Sequence, residues 1–189
     1  MPELRKARIA TASLAGCFGC HMAILDIDER LIGLMGLVEF DRSPVNDIKK
    51  FTKRCDIGII EGGCCNEENV HVLQDFRRNC DVLIALGQCA IMGGLPAMRN
   101  AVMHSENPLL ECLEEAYISG RFIRNTTHQI PNDPALPLVL DKVYPLSEVV
   151  KIDYNIPGCA PTGDVIYSTL ASLLAGKFRG FERELIKFD

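Results

Sequence analysis

The sequence predicts an α/β protein: a doubly wound, mostly parallel sheet of about five strands with helices on both faces, in one domain over residues 1–189. Two observations carry this. Short apolar runs of strand length alternate with longer stretches of helical periodicity, the pattern that builds parallel sheets through crossover helices. The run at residues 81–87 is almost continuously apolar, as a strand covered on both faces is.

Taken in order, residues 8–13 read as the first strand. Residues 21–34 read as a helix, with Ile24, Ile27, Leu31 and Leu34 on one stripe. A short second strand covers 36–41, and Ser43-Pro44 opens a turn or helix over 45–53. The third strand, 56–61, runs into Gly62-Gly63. Asn66 is placed to cap the next helix, Glu67 and Glu68 suit its first turn, and Val70, Leu73 and Phe76 form its buried face. After the fourth strand at 81–87, Gly93-Gly94-Leu95-Pro96 breaks or shortens a helix at 90–100. Asn107-Pro108 opens another helix, ending near Gly120. Residues 121–147 carry Pro131, Pro134, Pro137 and Pro145 and read as an irregular Pro-rich arm suited to partner contact. A fifth strand at 149–156, a tight loop from Pro157 to Thr162 and a last helix at 162–175 complete the chain.

The 189 residues are 48% hydrophobic and 24% charged, with a net charge of −5. No long basic block is present, which speaks against nucleic acid. The longest apolar runs fall far short of the roughly 18 residues that a membrane span needs. The polar start shows no apolar leader core and no twin arginine, so the expected location is cytoplasmic.

Nine cysteines need an explanation. The count is odd and the expected compartment reducing, so a disulfide framework is disfavoured. Metal ligation, thiol redox chemistry and plain burial remain. Six of the nine fall just after predicted strands: Cys17 and Cys20, Cys64 and Cys65, Cys89, and Cys159. Loops that leave the carboxyl edge of a parallel sheet are where ligands bind. Glycines flank these thiols, allowing close backbone approach to a bulky group. Cys55, Cys80 and Cys112 lie before strands or in a helix and read as core filler. A lone Cys-x-x-Cys pair is half of a zinc site or a redox motif. Thiolates gathered from distant loops instead suit a [4Fe–4S] cluster.

The segments Cys17-Phe18-Gly19-Cys20, Glu61-Gly62, Gly87-Gln88-Cys89-Ala90-Ile91-Met92-Gly93-Gly94 and Pro157-Gly158-Cys159-Ala160-Pro161 resemble the ordered motifs of [NiFe]-hydrogenase small subunits. The resemblance spans about residues 8–175. It implies a flavodoxin-like domain and one [4Fe–4S] cluster on Cys17, Cys20, Cys89 and Cys159, lined by Phe18, Gly19, Cys64, Cys65 and Gly158. The cluster would lie beside the nickel–iron centre of a separate large subunit. A short, leaderless chain with one cluster is similar to the small subunit of the soluble, cytoplasmic, NAD-reducing (bidirectional) type. In that type, diaphorase subunits with flavin and further iron–sulfur clusters pass electrons to NAD. The chain is then an electron-transfer subunit of a hydrogenase, not catalytic alone.

Other assignments stay open at this level. Glu61 reads as a proton relay, a subunit contact, or a carboxylate capping nearby N–H groups. Cys64-Cys65 resembles the tandem pair that ligates the terminal cluster in the related complex I subunit, but Cys17 and Cys20 already fill those places. FMN is a further cofactor that a flavodoxin-like sheet invites. His21 reads as a hydrogen-bonding neighbour of the site or as a solvated residue. His71, His104 and His128 have no assigned partners. A stand-alone iron–sulfur or flavin carrier, or a complex-I-type quinone-linked subunit, are the rival functions. A carrier predicts a polar rim round the site, and a hydrogenase subunit an apolar one.

Overall fold

The computed structural model describes residues 5–102, 107–178 and 180. Five strands form the main sheet: β1 (Ala7–Ser13), β2 (Val38–Phe40), β3 (Cys55–Glu61), β5 (Cys80–Leu86) and β7 (Tyr154–Ile156). They are all parallel, in the order β2-β1-β3-β5-β7. Their apolar side chains are buried on both faces, which explains the continuous hydrophobic runs.

One face is covered by α1 (Gly19–Leu25), α2 (Glu29–Met35) and α7 (Gly163–Leu174). Here Ile9, Ile57, Ile59, Ile84 and Ile156 pack against Ile24, Ile27, Leu34, Val165, Ile166 and Leu170. The opposite face is covered by α3 (Glu67–Asn79), α4 (Gly87–Met92) and α6 (Leu146–Val149). It buries Ala10, Ile60, Leu83 and Ala85 against Leu73, Phe76, Ala90 and Leu146. Each fully buried Ile, Leu or Phe contributes roughly 1.5–3 kcal/mol of transfer free energy. As expected, Asn66 caps α3, its side chain accepting from Asn69 N at 2.8 Å.

The register levels the carboxyl ends of the central strands. Ser13 lies opposite Glu61, Glu61 opposite Leu86, and Leu86 opposite Ile156. The four loops that follow therefore leave one edge together.

Three sequence expectations change, and one open alternative is decided. The helix expected over 21–34 is two helices, α1 and α2, separated by a turn in which Asp28 has φ 58°. Ile27 in that turn is fully buried, so the apolar stripe continues across the break. Of the turn or helix expected over 45–53, the structure has the turns, with bends. Buried Asp41 gathers it by accepting from Thr52 N, Thr52 Oγ1 and Lys53 N at 2.9–3.0 Å. The arm is not wholly irregular. It contains β6 (Val139–Tyr144), which pairs antiparallel with β4 (Cys64–Asn66), and Leu138 O accepts from Glu67 N. The fifth strand is only Tyr154–Ile156, because α6 and the Asp153 carboxylate take up the residues before it; Asp153 accepts from Leu83 N and Arg77.

The helix expected after Asn107 is α5 (Pro108–Glu114), continued by one π-helical turn at Glu115–Ser119. A 3₁₀ helix covers Leu95–Val102. His104 lies outside the described residues. No described helix is long and apolar enough to cross a membrane.

Candidate functional site

The levelled strand ends bring four thiols together. Cys17 and Cys20 come from the β1–α1 loop and the start of α1, Cys89 from α4 after β5, and Cys159 from the β7–α7 loop. The Cys20 thiol has Cys89 and Cys17 as charged neighbours, and Cys89 has Cys159 and Cys17. A hydrogen bond from Gln88 N to Gly158 O, 3.0 Å, ties the second and third loops. Cys17 and Cys159 are exposed, and Cys20 and Cys89 are half-buried.

Two glycines make room for these sulfurs. A Cβ on Gly87, whose φ is +82°, would stand 2.3 Å from Cys20 Sγ. A Cβ on Gly94 would stand 2.8 Å from Cys89 Sγ. Any larger residue would push a thiol out of the pocket, so glycine is dictated by approach as well as by backbone angle.

The donors are all thiols. Burial pushes the Cys20 thiol well above the ordinary cysteine range, and the negative charge of Glu61 adds to that. Burial also raises Cys89, with the Cys159 and Cys17 charges acting the same way and a Leu95 N–H opposing them. Such thiols stay protonated unless a metal takes the place of the proton, and soft thiolate sets select iron–sulfur clusters or zinc. Among the described residues, no three His, Cys, Asp or Glu side chains stand close enough to hold a single metal ion. Zinc needs four sulfurs at about 2.3 Å from one centre.

Cys64 and Cys65 do not join this group. Cys64 is fully buried in the second core, and burial followed by the neighbouring Cys65 pushes its thiol up to about 12. The Cys65 thiol donates to Asn69 Oδ1 at 3.3 Å. Phe18 stands at the rim, stacked on His21 with ring centroids 4.6 Å apart. Gly19 N donates to Cys17 Sγ at 3.4 Å.

Glu61 lies behind the thiols, only 2% exposed. Its Oε2 accepts from Cys20 N at 2.9 Å and its Oε1 from His21 Nδ1 at 2.8 Å. Burial alone would raise this carboxyl; hydrogen bonds from His21 and Ser13 and the Cys20 amide outweigh it and hold the pKa below the ordinary glutamate value. His21 Nε2 lies 3.0 Å from Thr11 Oγ1, and Thr11 Oγ1 lies 2.7 Å from Ser43 Oγ. Sequence reasoning misses this buried polar row. Its one signal is Thr11 and Ser13 alternating on one face of β1, level with Glu61 on β3. His21 is buried, not solvated.

Comparison with known proteins agrees with this arrangement. The family described as NADH ubiquinone oxidoreductase, 20 Kd subunit, matches residues 17–173. The chain is 46% identical over 185 residues to the delta subunit of the NAD-reducing hydrogenase HoxS of Cupriavidus necator, covering 97% of this chain and 86% of that one. It is 36% identical to a subunit of the F420-non-reducing hydrogenase of Methanothermobacter thermautotrophicus over 91% of this chain, but spans only 54% of that protein. A crystal structure of an NAD+-reducing [NiFe]-hydrogenase in the H2-reduced state superposes with a TM-score of 0.90 at 49% identity, covering 98% of this chain and 100% of the matched one. The chain thus belongs to the family of the NADH ubiquinone oxidoreductase 20 kDa subunit and, within it, stands with the hydrogenase small subunits.

Proposed function

We propose that the chain holds one [4Fe–4S] cluster on Cys17, Cys20, Cys89 and Cys159. It would relay electrons between the nickel–iron site of a large subunit and diaphorase subunits that reduce NAD (H2 + NAD+ ⇌ NADH + H+). The observation that carries this is the meeting of four thiols from three distant loops at one sheet edge. Such a cluster, when bound, supplies reversible one-electron storage. The four thiolates anchor it. Gly87 and Gly94 leave the space, Gly19 N–H and Leu95 N–H point at ligand sulfurs, and Phe18 screens the outer side.

The rim supports a partner. Met22, Met92, Leu95 and Met98 are 52%, 60%, 73% and 66% exposed, close in sequence to the ligand loops. An exposed apolar patch beside a redox site marks a surface to be covered. A free carrier would present a polar rim there instead, so a large subunit with its nickel–iron centre is the better reading. The reducing cytoplasm suits a thiol-rich chain of this kind.

The complex-I-type quinone-linked reading is weaker, because the tandem Cys64 and Cys65 stand apart from the other thiols. FMN is weaker too. The loop after β1, where flavodoxin-like folds hold phosphate, is filled by Gly16–Cys20 with the Glu61 carboxylate behind it. Iron and acid-labile sulfide per chain, measured on protein purified without oxygen, test the proposal. About four of each are expected. Stoichiometric zinc, or no metal, would overturn it.

A further inference from the structure

We infer that Glu61 is a positioning residue that keeps the cluster's reduction potential low, by claiming the Cys20 amide and placing a buried carboxylate behind the ligand sulfurs. This rests on the cluster reading above.

Gly19 N–H points at Cys17 Sγ, and a Leu95 N–H reaches Cys89. N–H groups aimed at ligand sulfurs stabilise the reduced, more negative cluster and raise its potential. The Cys20 amide makes no such contribution, because it is spent on Glu61 Oε2 at 2.9 Å.

Charge acts in the same direction. Among the described residues no Lys or Arg pairs with Glu61; the titratable groups bonded to it are the His21 ring and the Cys20 thiol. Glu61 is 2% exposed and His21 1%, so water screens the carboxylate little. Its charge is felt at both the Cys20 and the Cys89 sulfur. A negative group in a low-dielectric setting opposes an added electron nearby. His21 in turn is fixed by Thr11, and Thr11 by Ser43, whose Oγ accepts from Val45 N at 3.2 Å. Every side chain in that row is buried, so the carboxylate is held in one place.

The test is a redox titration followed by electron paramagnetic resonance on the anaerobically purified complex, with iron content measured alongside. Glu61→Gln keeps an acceptor for the Cys20 amide and removes the charge; a higher midpoint potential at full iron content is expected. Glu61→Asp keeps a carboxylate in the row; a potential closer to that of the unsubstituted protein than the Gln variant's is expected. A shift that the conservative variant restores is the signature that a merely structural brace would not give. An unchanged potential in Glu61→Gln, an equal shift in both variants, or iron loss in Glu61→Gln would overturn the inference. Absence of iron from the unsubstituted chain would instead sink the cluster reading on which it rests.

Discussion

At the amino ends of β3 and β5, Cys55 and Cys80 face each other in register, 1% and 0% exposed. At the carboxyl edge of the same sheet, Cys17, Cys20, Cys89 and Cys159 stand exposed or half-buried in glycine-rich loops. The lower pair behaves as core. Cys80 packs so tightly on Gly58 that a Cβ there would lie 2.7 Å from its sulfur, and contact with Cys55 together with burial pushes its thiol far above the ordinary range. Of the upper four, Cys20 alone also packs against the apolar core. One residue type therefore serves two purposes: Cys17, Cys20, Cys89 and Cys159 gather in the loops of the carboxyl edge, whereas Cys55 and Cys80 at the amino edge, and Cys64 beyond β3, fill volume.

The sharpest way to break this contrast is substitution at both edges. Serine at any of positions 17, 20, 89 or 159 is expected to remove most of the iron and the visible absorbance of the purified protein. Full iron content in such a variant would take that residue out of the ligand set. A middle case is Asp41, which lies just beyond β2 at the upper edge yet serves only structure. Burial alone would raise its pKa, but bonds from Thr52 and Lys53 prevail and hold it below the ordinary aspartate value. A depressed carboxyl stabilises the fold above its unfolded value, about 3.9, and that stability is lost as pH falls through the folded value. Asp41→Asn should cost about 2 kcal/mol in urea unfolding at pH 7, with the gap to the unsubstituted protein closing below about pH 4. A pH-independent gap would show that the charge is not what matters. The smallest effect belongs to the lower edge. Cys80→Ala should keep its iron and lose about 1 kcal/mol of stability by unfolding titration, as a small cavity opens. Iron loss there would erase the distinction between the edges.

The doubly wound sheet is legible in the sequence because its central strands are apolar on both faces, as at Leu83 to Leu86. The gathering of Cys17, Cys20, Cys89 and Cys159 at one edge is legible because each follows a strand and sits beside glycine. What escapes depends on bonds between residues far apart. Nothing near Thr52 announces that Asp41 will collect its amide, so Ser43-Pro44 reads as the start of either a turn or a helix. Four prolines hide β6, whose pairing with Cys64–Asn66 is fixed by a segment more than seventy positions earlier. The break at Asp26–Asp28 leaves the apolar spacing intact, since Ile27 fills its place in the core with or without a continuous helix. The Glu61–His21–Thr11–Ser43 row is assembled across strands and so has no local signature.

The β7–α7 loop also sets a timetable for biosynthesis. It carries Cys159 just after β7, which among the described residues pairs with β5 alone, and its Gly158 carbonyl closes onto Gln88. A nascent chain emerging from the ribosome displays Cys17, Cys20 and Cys89 long before Cys159 and the helix behind it exist. A cluster held as proposed on all four would have to wait for that loop, and whatever delivers the iron would meet a sheet whose last strand has just been added.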